Sequence, residues 1–442
     1  MTLVARSRRL DTDIDLLAFA GAHGFVFERA RVGVAGRGAA LEIPWPAGDP
    51  AAARGAAAAL AAIDVDDQVG VPGTGPVAFG ALPFVPGGAA TLVVPEVVAG
   101  RAEDGTRWIT VVSGSESGSE SGSESGSDSG SDSGSDGGER SDRVGRPPLP
   151  DPDAPALGDL VAPRPAAPQP QRYTVASARS PEWWCALVER ATKTMAEGAF
   201  EKVVLARQVD VTADRPLDRH AVLDRLRTGY PGCHIVGIGG FVAASPELLV
   251  SVAGDIVRSH PMAGTAPRGG DPATDQRLAA SLLASATYRH EHQVTIDVVH
   301  DTLLGWCSYV DYEAEPSVVA VANLQHLATK VEGRLSRPTP SVLELVAALH
   351  PTPAVAGRPR DLAVEWIAAN EEVDRGRYAG TAGWVDGAGN GAWAVSVRCA
   401  EIDGASARLW AGNGIVADSD PAAELAETRV KLQALMSALV RP

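Results

Sequence analysis

The sequence predicts a large globular fold that contains both strands and helices. Of its 442 residues, 45% are apolar and 21% are charged, so the chain can build a large core and wholesale disorder is excluded. After about residue 170, segments with strand-like alternation follow amphipathic helical segments up to the C-terminus. A prior of roughly 150 residues per domain gives about three domains, although single large folds exceed that figure.

Charge and cysteine usage limit the partners and the compartment. The formal net charge of −16 argues against nucleic acid and anionic membranes, since both are bound by concentrated lysine and arginine. The chain has no run of about 18 apolar residues, so no membrane span is expected. Acidic residues follow the N-terminal arginines, where a secretory signal would be apolar. The 4 cysteines lack CxxC spacing, which predicts a cytoplasmic protein without a disulfide framework.

An acidic segment, residues 113–170, separates the short apolar runs of residues 1–112 from the rest of the chain. It begins with Ser/Gly/acid tetrapeptides and then becomes rich in proline, and its 11 acids and 4 arginines give a net charge of −7. Such a composition cannot bury enough apolar surface to offset its ordering entropy. We therefore predict a disordered insert at this position.

The first residue with possible chemistry follows a predicted helix over residues 180–198. Alternation along the next strand, residues 202–210, places Lys202 on one face with Val204 and Ala206. A lysine at this point is either a strand-end residue that reaches into solvent or a partly desolvated amine that serves as a general base. The strand alone leaves both interpretations open.

A second candidate is an acid on the apolar side of a predicted helix. In the helix over residues 285–306, Glu291 lies about 200° around the axis from the polar Gln293. A carboxylate that faces the core is costly unless it is paired or binds a metal. His290 and His292 flank it, but they point to different helix faces and no HExxH motif is present, so zinc is not expected.

The last helix carries two more acids. It is predicted to begin after Asp420, a good N-cap residue, with Pro421 at its first position. Glu424, Glu427 and Lys431 then share one helix face. They form either a solvated ion-pair ladder or, with the acid of the preceding candidate helix, a site for Mg²⁺, which prefers carboxylate and water oxygens.

Two further features indicate anion binding. In the predicted strand over residues 392–399, Arg398 lies among small residues, which favours a guanidinium in a cavity where it could grip a carboxylate. The glycine-bearing segments 261–265 and 411–414 are predicted to be turns whose backbone N–H groups could bind an anion. Neither segment matches a Rossmann or Walker pattern.

Ten short sequence motifs occur over about residues 175–440. They are, in chain order, FEKVVLAR, SPELLV, HPMAGTAPRG, RHEH, LQHLAT, LHPTPAV, RYAGTAGW, AVSVRC, AGNGIV and ELAETRVKL. This series resembles the chorismate-utilising enzymes, and within them it is most similar to isochorismate synthases. The resemblance implies one α+β unit in which two large antiparallel sheets pack together with helices outside. It replaces the three-domain estimate, with residues 1–112 as the N-terminal part of the fold and 171–442 as the catalytic, chorismate-binding region.

The resemblance also implies a substrate, a cofactor and a mechanism. Lys202 matches the base that activates water to attack C2 of chorismate, and Glu247 matches the acid that protonates the departing C4 hydroxyl. Glu291 and Glu427 match direct Mg²⁺ ligands, and Glu424 matches an acid that acts through metal-bound water. Mg²⁺ would neutralise the ring carboxylate, so that an acidic wall can hold a dianionic substrate.

The remaining matches concern substrate binding. Arg398 and Tyr378 match the grip on the enolpyruvyl carboxylate, and His326 matches a residue near the leaving hydroxyl. The positions that line or support the substrate carboxylates are Gly264, Thr265, Gly412 and Lys431. Tyr288 stands where many members have an acid near the metal, and Asn413 interrupts the usual small residue between two glycines. We expect the first departure to weaken the support of Mg²⁺ and the second to narrow the pocket.

Lys202 distinguishes between the activities of the family. Members that use ammonia, the anthranilate and aminodeoxychorismate synthases, usually carry a neutral side chain there, so a lysine favours water. The hypothesis is a monomeric, Mg²⁺-dependent isochorismate synthase of menaquinone or siderophore biosynthesis. One alternative is a salicylate synthase, which has the same lysine and also eliminates pyruvate. An alternative of another class is a non-catalytic chorismate-binding regulatory protein whose acidic tract recruits a basic partner.

Deleting the segment 113–170 tests its role as a spacer. We expect near-normal formation of isochorismate, because the segment is not part of the family pattern. Initial rates of the deletion variant and of the full chain, measured with chorismate and Mg²⁺, provide the comparison. A large loss of rate in a folded variant would show that the tract is more than a spacer.

Overall fold

Strands form the framework of the chain. The computed structural model describes residues 2–114, 167–321 and 324–440, so most of the predicted insert lies outside the described residues. Within them the strands belong to sheets of 13, 9 and 3 strands. The α+β class with two large antiparallel sheets, predicted from the resemblance, is confirmed.

The described strands have the following bounds. Those of the N-terminal part are β1 Leu3–Arg9, β2 Phe25–Arg29, β3 Val32–Arg37, β4 Leu41–Pro44, β5 Asp64–Asp67, β6 Val77–Leu82, β7 Thr91–Val94, β8 Val97–Arg101 and β9 Arg107–Gly114. Those of the C-terminal part are β10 Tyr173–Ser177, β11 Lys202–Ala213, β12 His234–Ile238, β13 Phe241–Ser245, β14 Leu248–Ala253, β15 Ile256–His260, β16 Met262–Pro267, β17 Cys307–Tyr312, β18 Ser317–Val321, β19 Leu324–Ala328, β20 Val331–Leu335, β21 Gly357–Arg358, β22 Thr381–Asp386, β23 Gly391–Val395, β24 Cys399–Asp403 and β25 Ser406–Ile415.

Most of the described helices begin after a residue whose side chain caps them, and the helix that follows Pro359 is the exception. The described helices are α1 Leu16–Ala20, α2 Pro50–Ala61, α3 Pro181–Ala196, α4 Arg219–Gly229, α5 Pro272–Ala284, α6 Ala286–Leu304, α7 Val342–Leu349, α8 Arg360–Asn370 and α9 Pro421–Val440. Ser180 and Ser285 accept hydrogen bonds from the first turns of α3 and α6. Asp420 accepts one from the Ala423 N–H at the start of α9, as predicted. Cap residues therefore fix the starts of the helices that the sequence predicts.

Both large sheets run through the N-terminal and the C-terminal parts of the chain. The 13-stranded sheet has the order β10-β11-β25-β24-β13-β12-β2-β3-β8-β9-β1-β5, with β21 also paired to β11. The 9-stranded sheet has the order β17-β20-β15-β14-β23-β22-β6-β7-β4. The third sheet is β16-β19-β18. Because β2 pairs with β12 and β6 pairs with β22, the two parts of the chain share their sheets and cannot form separate cores.

The main core connects the two large sheets. It includes Leu205 of β11 from one sheet and Phe79 of β6 and Trp393 of β23 from the other. The rings of Trp45 and Trp393 meet edge to face with centroids 5.3 Å apart. A second apolar cluster joins α1, α4 and α9 to strands of the larger sheet, which is the predicted arrangement of helices outside sheets. None of the described helices combines the length and the apolar character needed to cross a membrane.

Three local predictions are wrong. The strand predicted over 392–399 ends at Val395, and Arg398 has a left-handed backbone with φ of 49° before β24 begins. The segments 261–265 and 411–414 lie mainly in β16 and β25 rather than in turns. The reason is long-range pairing: β25 pairs with β11, and β16 pairs with β19 through a bulge near Gly264.

The ends of the predicted insert also differ from expectation. Ser113 and Gly114 belong to β9 and pair with β1, and the Gln169 side chain accepts a hydrogen bond from Arg225. Strand β9 is nine strand positions from β10 in the larger sheet. Across a flat sheet this corresponds to a sideways separation of about 43 Å, at about 4.8 Å per strand. The deletion proposed above is therefore best made over 115–166 with a Gly/Ser linker of roughly 20 residues, since about 13 extended residues span that distance.

A buried ion pair bonds to the edge of β11 where no neighbouring strand pairs with it, near the start of the strand. Arg375 donates to Glu371 through Nε and Nη2 at 2.6 and 2.8 Å, and the two side chains are 3% and 0% exposed. Glu371 accepts from the backbone N–H of Ala206, and Arg375 donates to the backbone carbonyl of Val204. The pair thus replaces a neighbouring strand between β21 and β10 and holds the strand that begins with Lys202.

Removing one partner of this pair should destabilise the fold strongly. Arg375→Ala leaves the buried Glu371 carboxylate without its cation, and such losses cost roughly 3–5 kcal/mol. Urea unfolding at pH 7 measures the effect. Arg258→Ala, which breaks an ion pair with both side chains 52% exposed, is the matched control and should cost under about 1 kcal/mol. Equal losses in the two variants would contradict the proposed importance of the buried pair.

Candidate active site

A cavity of about 610 Å³ lies where β11, β25, β16, α6 and α9 meet. Its lining includes all of the site residues that the sequence predicts: Lys202, Glu247, Gly264, Thr265, Glu291, His326, Tyr378, Arg398, Gly412, Glu424, Glu427 and Lys431. These residues are spread over more than 200 positions in the chain, and the folding of the two large sheets brings them together. Their roles stay predictions, and their geometry shows what chemistry each can perform.

Lys202 is held in the cavity by an ion pair. Its Nζ donates to Glu291 Oε1 at 2.5 Å, and the residue is 8% exposed. Gly414, on the neighbouring strand, makes room for it, because a Cβ there would lie 2.6 Å from the Lys202 Cε. Of the two interpretations of Lys202, the buried amine is the one that fits this position. Glu291 is likewise partnered, as its place on the apolar side of the helix requires.

The electrostatics of Glu291 follow from this contact. Burial by itself would raise the pKa of its carboxyl group, but the charge and hydrogen bond of Lys202, aided by Lys431, lower the pKa below its usual value. Glu291 is therefore held as the carboxylate, which is the state needed for binding a cation.

Glu247 has the opposite environment. It follows β13 and is 6% exposed, and burial raises its pKa to about 7, against smaller opposing effects of the Met262 N–H, Arg398 and Lys202. Near neutral pH a large fraction of this carboxyl group therefore carries a proton. A protonated carboxyl group in a cavity can donate to a leaving group, which is the property of a general acid.

Arg398, His326 and Thr265 form a hydrogen-bonded series on another wall. Arg398 Nη2 lies 2.8 Å from His326 Nε2. A guanidinium has only donors, so Nε2 must be the acceptor and the ring proton must be on Nδ1, 3.3 Å from the Gly264 carbonyl and 3.2 Å from Thr265 Oγ1. Burial and the charge of Arg398 lower the pKa of His326 well below its usual value, which agrees with a neutral ring. The Arg398 side chain reaches the cavity from its left-handed backbone position, not from a regular strand face.

Tyr378 lies against β25 and is 4% exposed. Its ring stacks with Trp410 at 6.3 Å, and burial raises the pKa of its hydroxyl group, so it is neutral and can donate a hydrogen bond. Gly412 permits this position, because a Cβ there would lie 2.5 Å from the Tyr378 hydroxyl oxygen. The position of this hydroxyl group therefore depends on Gly412, a glycine in the middle of β25.

The acidic face of α9 is not a solvated ion-pair ladder. Lys431 Nζ pairs with Glu427 Oε1 at 2.7 Å and also donates to the Gly412 carbonyl at 2.9 Å. The Lys431 side chain is 12% exposed, so the face is directed into the cavity instead of forming a solvated ladder. Glu424 Oε1 accepts from Ser419 at 2.8 Å, and Glu424 Oε2 accepts from Asn413 at 2.7 Å.

The acidic residues of the cavity offer oxygen donors for a cation such as Mg²⁺. Among the described residues, no group of three or more His, Cys, Asp or Glu side chains is arranged to hold a metal ion. Glu291 and Glu427 contact lysines, and Glu424 contacts Asn413 and Ser419. Burial, followed by the negative charges of Glu427, Glu291 and Glu424, raises the pKa of Tyr288, so three carboxylates act on one point beside the cavity. Oxygen donors of this kind are the ones that a hard dication prefers. The donor set fits Mg²⁺, provided that the two lysines release their acids.

Two polar residues of this wall could not be assigned from sequence. Asn413, which is expected to narrow the pocket, lines the cavity, and its side chain also bonds to α9. Ser419 lies outside the ten motifs, and its hydroxyl group donates to Glu424. The signal for Ser419 is its place just before the cap of α9, where a hydroxyl often bonds to the first turn. Asn413 gives no such local signal, because its partners are 11 and 18 residues away.

The region that contains the site is similar in sequence to known proteins. Residues 158–440 match a model of the family described as "Chorismate binding enzyme". The chain is 41% identical over 278 residues to isochorismate synthase DhbC of Bacillus subtilis, covering 60% of this chain and 70% of DhbC. It is also 41% identical over 290 residues to the MenF protein of Mycobacterium tuberculosis, covering 62% and 78%.

A solved structure extends the comparison to the whole fold. The menaquinone-specific isochorismate synthase MenF from Escherichia coli superposes with a TM-score of 0.75, covering 99% of this chain and 94% of that chain, at 23% identity. At this identity the match concerns the fold alone. The family match covers more than half of the chain and includes every residue of the cavity named above. The chain therefore belongs to the chorismate-binding enzyme family.

Proposed function

We propose that this protein is an isochorismate synthase, which adds water at C2 of chorismate with loss of the C4 hydroxyl group. One observation carries the proposal: a buried amine, Lys202, and a buried carboxyl group with a raised pKa, Glu247, line the same cavity. Relatives at about 40% identity that are named isochorismate synthases support it, and they include enzymes of menaquinone and of siderophore biosynthesis.

The two groups would transfer protons in opposite directions. Lys202, once free of Glu291, would accept a proton from the water whose oxygen forms the new bond to C2. Glu247 would donate its proton to the C4 oxygen, which leaves as water while the ring double bonds shift. One water enters and one leaves, so the product is an isomer of chorismate. General acid and base groups of this kind typically contribute 10²–10⁴-fold each.

The other walls of the cavity would bind the substrate carboxylates. His326 engages one guanidinium nitrogen of Arg398, so the other N–H groups of the guanidinium can donate to the enolpyruvyl carboxylate. The neutral Tyr378 hydroxyl group can donate to the same carboxylate. Glu291 and Glu427 would hold Mg²⁺ directly and Glu424 through water. When bound, Mg²⁺ would supply positive charge for the ring carboxylate of chorismate.

Replacing Lys202 should abolish water addition. The purified protein with chorismate and Mg²⁺ should form isochorismate, detected by chromatography, and EDTA should remove this activity. Lys202→Ala should lower the rate by about 10²-fold or more because no base remains. Lys330→Ala is the matched control, because that lysine is 74% exposed and pairs only at the surface with Glu313.

The other possible results of these assays distinguish between the alternative functions. Salicylate and pyruvate as the sole products would replace the proposal by a salicylate synthase. Aminated products that require ammonia would reject both water-dependent activities. Binding of chorismate without turnover, measured by calorimetry, would favour a regulatory protein. Unchanged turnover in a folded Lys202→Ala variant would remove Lys202 from the mechanism.

The raised pKa of Glu247 predicts a pH dependence. A general acid works in its protonated form, which prevails below the pKa and is lost above it, so kcat/KM should fall about tenfold per pH unit above pH about 7. Glu247→Gln should lower kcat/KM strongly and remove this fall, because its amide does not titrate. Rates between pH 6 and 9 provide the measurement, with the exposed Glu332→Gln as the control. A wild-type profile that is flat through this range would contradict Glu247 as the acid.

A further inference from the structure

Asn413 occupies a central position between the two walls of the site. It lies in β25, is 1% exposed and has glycines on both sides. The missing side chains of Gly412 and Gly414 would point at Tyr378 and Lys202. Since side chains alternate along a strand, the Asn413 side chain is directed to the other side, where it meets α9.

The side-chain amide of Asn413 bridges the carboxylate of Glu424 and the ammonium group of Lys431. Asn413 Nδ2 donates to Glu424 Oε2 at 2.7 Å and to the Glu424 backbone carbonyl at 2.9 Å. Its Oδ1 accepts from Lys431 Nζ at 3.0 Å. A side-chain amide offers a donor and an acceptor together, so it can satisfy a carboxylate and an ammonium group at the same time. Aspartate lacks the donor, and an aliphatic residue lacks both.

Lys431 and Glu424, the two charged residues that Asn413 contacts, have different sets of partners. All three protons of Lys431 Nζ have acceptors, namely Glu427 Oε1, the Gly412 carbonyl and Asn413 Oδ1. The two oxygens of Glu424 accept from Ser419 and Asn413, which are neutral. Lys431 therefore compensates the charge of Glu427, while the contacts of Glu424 leave its negative charge uncompensated by a direct cation partner.

We propose that Asn413 is a positioning residue that keeps Lys431 away from Glu424, and thereby keeps one carboxylate of the cavity wall available to a divalent cation. This inference rests on the proposed function, since it assigns a part to the magnesium wall. Without the amide, Glu424 Oε2 and Lys431 Nζ each lose a partner and can satisfy each other directly. The cation would then have to displace an ammonium group from both Glu424 and Glu427.

A double-mutant cycle with Mg²⁺ alone tests the proposal. Titration calorimetry without chorismate gives the Kd of the wild type, Asn413→Ala, Lys431→Met and the double variant. We expect Asn413→Ala to weaken Mg²⁺ binding by about 10-fold in the presence of Lys431, a size usual for groups that orient metal ligands. In the Lys431→Met background the same substitution should change Kd by less than about twofold, because the competing ammonium group is gone.

The cycle separates positioning from a merely structural role. An equal loss in both backgrounds, or no loss in either, would overturn the inference. Asn413→Ser, whose hydroxyl can replace one contact but not both, should give an intermediate Kd and serves if the alanine variant does not fold. Wild-type protein that binds no Mg²⁺ would overturn both this inference and the metal part of the proposed function. Wild-type protein that binds Mg²⁺ but makes no isochorismate would overturn only the proposed activity.

Discussion

The pairing of β11 with β25 is the constraint on which the site depends. It extends from Val203 opposite Ile415 to Thr212 opposite Ser406, and it joins the strand of the amine to the strand of the two glycines. On its other edge, β11 pairs with β10 in its second half, whereas near its start it is held by β21 and by the Glu371–Arg375 pair. The position of the amine is therefore fixed by contacts on both sides, and neither set of contacts is local in sequence.

Four carboxyl groups of the cavity have three different environments. Glu247 is buried and lacks an ammonium partner in hydrogen-bond contact, so burial raises its pKa. Glu291 and Glu427 each contact a lysine. Glu424 is held by neutral donors. Carboxyl groups of the same chemistry can thus differ in their protonation because their neighbours differ.

Local patterns predicted the elements of the site better than its contacts. The caps of α3, α6 and α9 and the apolar side of α6 could be derived from spacing, and with them the positions of Glu291, Glu424 and Glu427. Arg398 was correctly expected in a cavity, but its left-handed backbone was not, because it depends on the end of β23 and the start of β24. The assignments of Glu247, Tyr378 and His326 came from the family resemblance, since nothing in their local spacing marks them.

Contacts between distant segments could not be predicted, for a physical reason. The buried pair at Arg375 bonds to a strand about 170 residues earlier, and Asn413 bonds to a helix that begins after it. Side-chain hydrogen bonds of this kind depend on how sheets and helices come together, which no periodicity reports. Glycine-rich segments show the same limit: 411–414 has the composition of a turn, yet its partner strand makes it part of a sheet.

The sharing of both sheets by residues before and after the insert has a consequence for assembly. Strands β1–β9 contribute edges and interior strands to both sheets, and β2 and β6 are hydrogen-bonded to strands that come much later in the chain. The two parts are therefore joined by hydrogen-bonded strands and by a shared apolar core as well as by the chain itself. Two separately produced polypeptides, divided within residues 115–166, should therefore complement each other and restore the cavity, whereas neither would hold it alone.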